Sequence, residues 1–163
     1  MRTFFIVAFF LNLSLNVVSL WLLPETAAIH FSLGGRPDDW TSKETHALLM
    51  LIVDGMVFLP LYFSSAVIDW VPARFISLPY KQYWLREENR VQAKRILSRM
   101  MDEFGLIMFG FLFGVSLLAI DANRSVPVRL NEPMLLGLLT VFLLFTLIWT
   151  IRLVLRFRPP DRL

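Results

Sequence analysis

The chain has 163 residues, 56% of them hydrophobic and 14% aromatic, with a formal net charge of +3 and a mean hydropathy of +0.61. That is more apolar surface than one water-soluble core of this length uses, so the composition points to an integral membrane protein. The absence of cysteine excludes disulfides, thiol catalysis and thiolate metal centres, and leaves the fold to packing alone.

Taken in chain order, the first apolar stretch runs from about Thr3 to Leu23. It is longer than the ~7–15 residues of a signal-peptide core, and no small-x-small cleavage site precedes "LPETAA". A retained helix is expected, with Asn12 and Asn16 four residues apart on one face. Residues 24–45 follow as an outer loop, of which "IHFSLGGRPDDWTSK" is too polar and turn-rich for the membrane. Gly34, Gly35 and Pro37 supply turn geometry, and Asp side chains in "PDDW" can cap backbone amides. Thr41 or Ser42 should start the next helix, Thr41 and Glu44 standing at capping-box spacing. His30, Asp38, Asp39 and His46 are the nitrogen and oxygen ligand types that zinc takes, but their spacing matches no compact motif, so no metal is assigned. His30 and Asp38 also have the chemistry of an acid–base pair, although no nucleophile sits beside them in sequence.

The second span is expected over 46–70. Asp54 lies at a depth similar to that of Asn16 if each residue rises ~1.5 Å. An ionisable group at that depth is a functional-site hypothesis, and the plainer reading is an Asn–Asp hydrogen bond that fixes helix register around a neutral Asp54. Pro60 should kink this helix, with the Ser64 hydroxyl placed to satisfy freed backbone.

The inner connector, 71–103, starts irregularly around Pro72 and Pro79. From Ala93 it becomes amphipathic. Ala93, Ile96, Leu97, Met100, Met101 and Phe104 share one face, with Lys94, Arg95, Ser98, Arg99 and Asp102 opposite. The expectation is a helix lying on an anionic leaflet before the chain turns into the third span. That span, 104–120, carries Gly110 and Gly114 as a small-xxx-small pair for close helix approach within the bundle or across a homo-oligomer. The fourth covers 134–155.

The fold expected is therefore an all-α integral membrane protein. It is a single domain, 1–163, in which a four-transmembrane-helix bundle carries a structured outer loop and an inner amphipathic helix. Most of the 16 basic residues fall at Arg2, in the inner connector (Arg74, Lys81, Arg86, Arg90, Lys94, Arg95, Arg99) and at the C-terminal end (Arg152, Arg156, Arg158, Arg162). The other connectors hold Arg36, Lys43, Arg124 and Arg129. The positive-inside bias is then expected to place both termini in the cytoplasm and residues 24–45 on the outer side. Trp21 and Trp40 should mark the outer interface, and Trp70, Trp84 and Trp149 the inner one. Anionic lipid accounts for the cations, so nucleic acid is not an expected partner despite a pI near 9.7. No cofactor is expected, because no Gly-x-Gly-x-x-Gly or Walker sequence occurs and the histidines do not suggest haem ligation.

Pro24, His30, Phe31, Gly35, Pro37, Asp38, Trp40, Ser42 and Lys43, placed directly after a first membrane helix, resemble the signature of the bacterial membrane domain of unknown function 1648. Ala28 stands where that signature has a second proline, and Asp39 where it has a small residue. A second stretch, "SLPYKQYWLREENR" (77–90), is similar to another segment of the family, with Ser77 and Tyr80 in place of asparagines. The domain also occurs in larger Sdp-type immunity and signalling proteins, which protect against a secreted toxin peptide and sequester a repressor at the membrane. The resemblance implies a bacterial inner-membrane protein with an outer recognition or structural loop, and it brings no established catalytic residues.

Three functional classes follow. The first is a binding, accessory or immunity-type signalling protein, not an enzyme, whose loop meets a peptide or partner protein through His30, Asp38, Trp40 and Lys43. The second is a small proton- or ion-coupled transporter or channel using Asp54 with Asn12 and Asn16. The third is a membrane enzyme acting at the outer interface through His30 and Asp38. The first ranks highest because no catalytic motif is recognisable.

Overall fold

The structure, a computed structural model, describes residues 1–159. Of the cations that set the expected orientation, Arg162 lies outside the described residues. The chain runs α1 (Arg2–Leu22), β1 (Thr26–Ser32), β2 (Arg36–Ser42) and α2 (Lys43–Tyr62). Short turns at Ser64–Ala66 and Ala73–Phe75 flank α3 (Val67–Trp70), and α4 (Lys81–Trp84), α5 (Glu87–Arg124) and α6 (Glu132–Arg156) complete it. Helices α1, α2, α5 and α6 are each long and apolar enough to cross a membrane. Their outer faces are apolar too: Leu136, Val141, Leu143, Leu144, Leu147, Ile148 and Ile151 of α6 are all exposed, as suits helices solvated by lipid tails.

Local chemistry sets the helix ends. The Ser42 hydroxyl accepts the Thr45 backbone amide at 3.2 Å and so caps α2. The expected Thr41–Glu44 box does not form, because Thr41 is paired with Ala27 in the hairpin and stays in the strand. Asn131 caps α6 by accepting the Met134 amide at 3.2 Å, with Pro133 in the first turn. The second span ends at Tyr62 and not near Trp70: two residues beyond Pro60 the chain leaves the α-helix for a tighter turn. Ser64 does not repair that break, since its buried hydroxyl has no hydrogen-bond partner.

Helix α5 is the hub, packing against α1, α2, α4 and α6. Its 38 residues give a rod of about 57 Å, well beyond the ~30 Å hydrocarbon layer. This corrects the expected surface helix that turns into a separate third span. No proline interrupts Glu87–Arg124, so the helix continues without a break. Its apolar face at Ala93, Ile96 and Leu97 is covered by protein, packing with Ile68, Trp84 and the fully buried Phe157. Asp102, expected on the wet face, is buried. Lys94 is tied to Asp69 of α3, and its hydrogen bond, with the nearby positive charges, holds the Asp69 carboxyl below its usual range.

Close approach between α1 and α5 occurs at Gly105, where a side chain would collide with the Phe5 ring. Phe5, Phe9, Phe58 and Phe109 form the aromatic centre of the bundle, with Phe9 and Phe58 stacked at 4.1 Å. Gly114 faces Leu138 of α6, whereas Gly110 faces open space. The tryptophans divide by environment. Trp21 and Trp70 are exposed, but Trp84 and Trp149 are buried and donate their indole N–H groups to Phe157 O (2.6 Å) and Met100 O (3.0 Å). Those two act as internal clamps, because a buried indole N–H needs a hydrogen-bond partner: Trp84 finds one just past the end of α6 and Trp149 on a carbonyl inside α5.

Candidate functional site

The loop between α1 and α2 is a two-stranded antiparallel hairpin. Ser32 pairs with Arg36 across Leu33-Gly34-Gly35, and Gly35 N–H returns to Ser32 O at 3.0 Å. Gly34 and Gly35 sit at φ 82° and 72°, a region that side chains resist. Gly35 has a second constraint, since a Cβ there would strike the Leu130 carbonyl. The strand register shifts around His30, and neighbouring Ala27 and Ala28 are both buried, which a regular strand would not allow on one face.

One side of the hairpin is fastened to the helical frame. Asn123, near the end of α5, accepts the Ala28 amide at 2.7 Å and donates to the Ala28 carbonyl at 3.0 Å. This satisfies both polar groups of a fully buried residue. Ala27 packs with Leu23 and Ile120. At the turn, Glu132 accepts the Gly34 amide (3.0 Å), Arg129 donates to Gly34 O (3.0 Å) and Leu130 N–H donates to Gly35 O (2.9 Å). Lys43 donates to Glu25 at 2.6 Å across the hairpin base. Its side chain is only 21% exposed, so this residue acts as a staple in the structure, set apart from the open surface expected of it.

The rest of the hairpin is open. His30 Nδ1 and an Asp38 carboxylate oxygen lie 2.5 Å apart, with the two side chains 68% and 44% exposed. Trp40 is 45% and Leu33 91% exposed. His46 does not join this group. It is buried in the first turn of α2 and lines a cavity between α1, α2 and α5, and no cluster of three metal-ligating side chains occurs among the described residues.

That cavity gathers Asn16 and Asp54, as their depths suggested, together with Asn12, Ser19, His46 and Ser116. The expected Asn–Asp hydrogen bond is not what joins them. Asn12 donates to Ala8 O (2.9 Å) and Phe109 O (3.0 Å), while Asn16 donates to Ala47 O (2.9 Å). The amides therefore tie α1 to the backbones of α5 and α2. Asn16 Oδ1 and His46 Nδ1 are buried without a protein partner. The cavity is about 40 Å³, room for roughly three or four waters at ~10–15 Å³ each. Sequence reading missed His46 and Ser19 here. The signal was helical spacing: His46, Met50 and Asp54 fall at i, i+4 and i+8 on one face of α2.

The arrangement defines a chain with four helices long and apolar enough to cross a membrane, a docked hairpin at one end and a small polar cavity beneath it. Residues 7–53 match the family model described as Domain of unknown function (DUF1648), which supports membership of that domain family for this segment. The match takes in most of α1, the whole hairpin and α2 up to Val53. The second resembling stretch, 77–90, lies beyond it; there Tyr80 adopts a left-handed φ of 53°, which asparagine, the residue of the resembling segment, tolerates better. No curated protein and no solved structure matched the chain.

Proposed function

We propose that this protein is a bacterial inner-membrane binding or accessory component that recognises a peptide or partner protein through its hairpin. In this reading the hairpin faces outward and both termini lie in the cytoplasm, in accord with the concentration of arginine and lysine at the other end of the helices. The observation that carries the reading is the one-sided docking of the hairpin. Asn123, Arg129, Leu130 and Glu132 hold its backbone, while His30, Asp38, Trp40 and Leu33 stay open to a ligand. A surface fixed in advance loses little entropy on binding, and an exposed Trp beside an ionisable pair supplies both contact area and polar specificity. An immunity-type signalling role, in which this face meets a toxin peptide, is one form of the same proposal. The test is affinity capture from crosslinked native membranes, comparing wild type with a His30→Ala/Asp38→Ala variant of equal abundance and unfolding temperature. Selective loss of one defined partner from the variant is expected, and equal recovery of that partner would refute the role of the pair.

The cavity supports a second reading, a proton- or ion-coupled transporter. Two buried polar atoms without protein partners, Asn16 Oδ1 and His46 Nδ1, face a space lined also by Asp54, as a hydrated intramembrane path requires. Its signature is an ion or proton flux in proteoliposomes that Asp54→Asn abolishes.

A further inference from the structure

We infer that the end of the molecule remote from the hairpin carries a binding site for a phosphate group, supplied by an anionic lipid headgroup or by a soluble phosphate compound. Four arginines line one cleft of about 350 Å³: Arg95 and Arg99 of α5, and Arg156 and Arg158 at the end of α6. Among the described residues, no Asp or Glu lines it. Arg95, Arg99 and Arg156 have no acidic partner among the described residues, although Arg90 and Lys94 nearby pair with Asp69 and Arg152 pairs with Glu103. Among the described residues, carboxylates are thus supplied to neighbouring cations but not to Arg95, Arg99 or Arg156.

The placement is fixed by packing. Arg95 and Arg99 are one helical turn apart and so share a face of α5. Arg156 and Arg158 flank Phe157, which is fully buried against Ile68, Trp84 and Ala93 and whose carbonyl accepts the Trp84 indole N–H. Clamping Phe157 sets both neighbouring arginines beside α5. Arg95, Arg99 and Arg156, like charges brought together this way, repel one another, and an anion relieves that repulsion. Guanidinium groups bind phosphate oxygens in a planar, two-point geometry. Ile96 and Met100 complete the lining with apolar surface, which suits the glycerol and first methylenes of a phospholipid. Along α5 the site stands about 36 Å from Asn123, close to one hydrocarbon thickness of ~30 Å, so a hairpin at one surface puts these arginines at the other. Basic clefts at the cytoplasmic ends of membrane helices are suited to lipid headgroups.

The test uses full-length protein, delipidated in neutral detergent and titrated with phosphatidylglycerol or phosphatidylcholine, with retained lipid read by native mass spectrometry. Wild type should retain phosphatidylglycerol in preference to phosphatidylcholine. Arg95→Gln/Arg156→Gln should weaken that retention by roughly twenty-five-fold, about fivefold for each cation, and Arg36→Gln should leave it unchanged. Arg95→Lys/Arg156→Lys, which keeps charge and fold, should fall between the wild type and the glutamine pair. A parallel arm adds millimolar inorganic phosphate. Displacement of the lipid, or thermal stabilisation by phosphate alone that the glutamine pair loses, supports a site that reads the phosphate group from a soluble source as well; lipid retained in its presence supports a lipid site. The inference is overturned if neither phosphatidylglycerol nor phosphate is preferred, or if the glutamine pair binds as the wild type does.

Discussion

Replacing Asn123 with leucine is expected to release the hairpin from the bundle and to cost about 2–6 kcal/mol. The side chain makes three hydrogen bonds, two to Ala28 and one to Ala119 O at 2.9 Å. Removing it leaves the amide and carbonyl of Ala28, a residue with no exposed surface, without their partner in a site closed to water. An unsatisfied buried polar group costs ~1–3 kcal/mol, which sets the range. Leucine is similar in size to asparagine, so the effect reports the lost bonds more than a cavity. Hydrogen exchange at the Ala28 amide, measured in detergent beside the thermal transition, gives the readout. Fast exchange with the four long helices still protected is the expected pattern, because α1, α2 and α5 are joined by their own aromatic centre. Unchanged protection at Ala28 would mean that Arg129, Leu130 and Glu132 are sufficient to dock the hairpin.

At the other end, Trp84→Ala should cost about 3–5 kcal/mol, the usual range for truncating a buried large aromatic side chain. Trp84 is 2% exposed, meets Tyr83 and Phe157 edge-on at 5.0 and 5.6 Å, and bonds the Phe157 carbonyl. Trp84→Phe keeps most of the packing and loses the hydrogen bond, so its cost should be nearer ~1 kcal/mol. The two variants separate packing from the clamp in a chemical-unfolding series. Because Phe157 positions Arg156 and Arg158, Trp84→Ala should also lower phosphatidylglycerol retention without removing a charge. If both variants unfold as the wild type does, the end of α6 is held by something other than Trp84.

Much of this was legible in the sequence because it depends on local pattern. Apolar length gave the four long apolar helices, and helical spacing put Asn12 and Asn16 on one face, with Asn16 and Asp54 at similar depth. Glycines at 34 and 35 marked the turn, but the flanking strands were missed. Their alternation is obscured by adjacent buried alanines and by the register shift at His30. The dock of the hairpin was out of reach of local reading, since Asn123 lies 95 residues from Ala28. Nothing near Asn123 distinguishes it from an ordinary polar helix end. His46 was grouped with the loop by sequence proximity, whereas its position on α2 turns it into the bundle. The amphipathic pattern from Ala93 was read correctly as a face, and assigned the wrong neighbour. Periodicity reports that one side of a helix is apolar, and here Ile68, Trp84 and Phe157 cover it in place of lipid.

The central claim, that the hairpin is a fastened recognition surface, is tested most directly by a photo-crosslinking residue introduced singly at Leu33, at Trp40 and, as a lipid-facing control, at Leu51, all exposed positions, in living bacteria. The account predicts a discrete peptide or protein adduct from position 33 or 40, absent from position 51 and lost when His30→Ala/Asp38→Ala is added. Adducts with lipid alone from all three positions, or a hairpin adduct indifferent to His30 and Asp38, would contradict it.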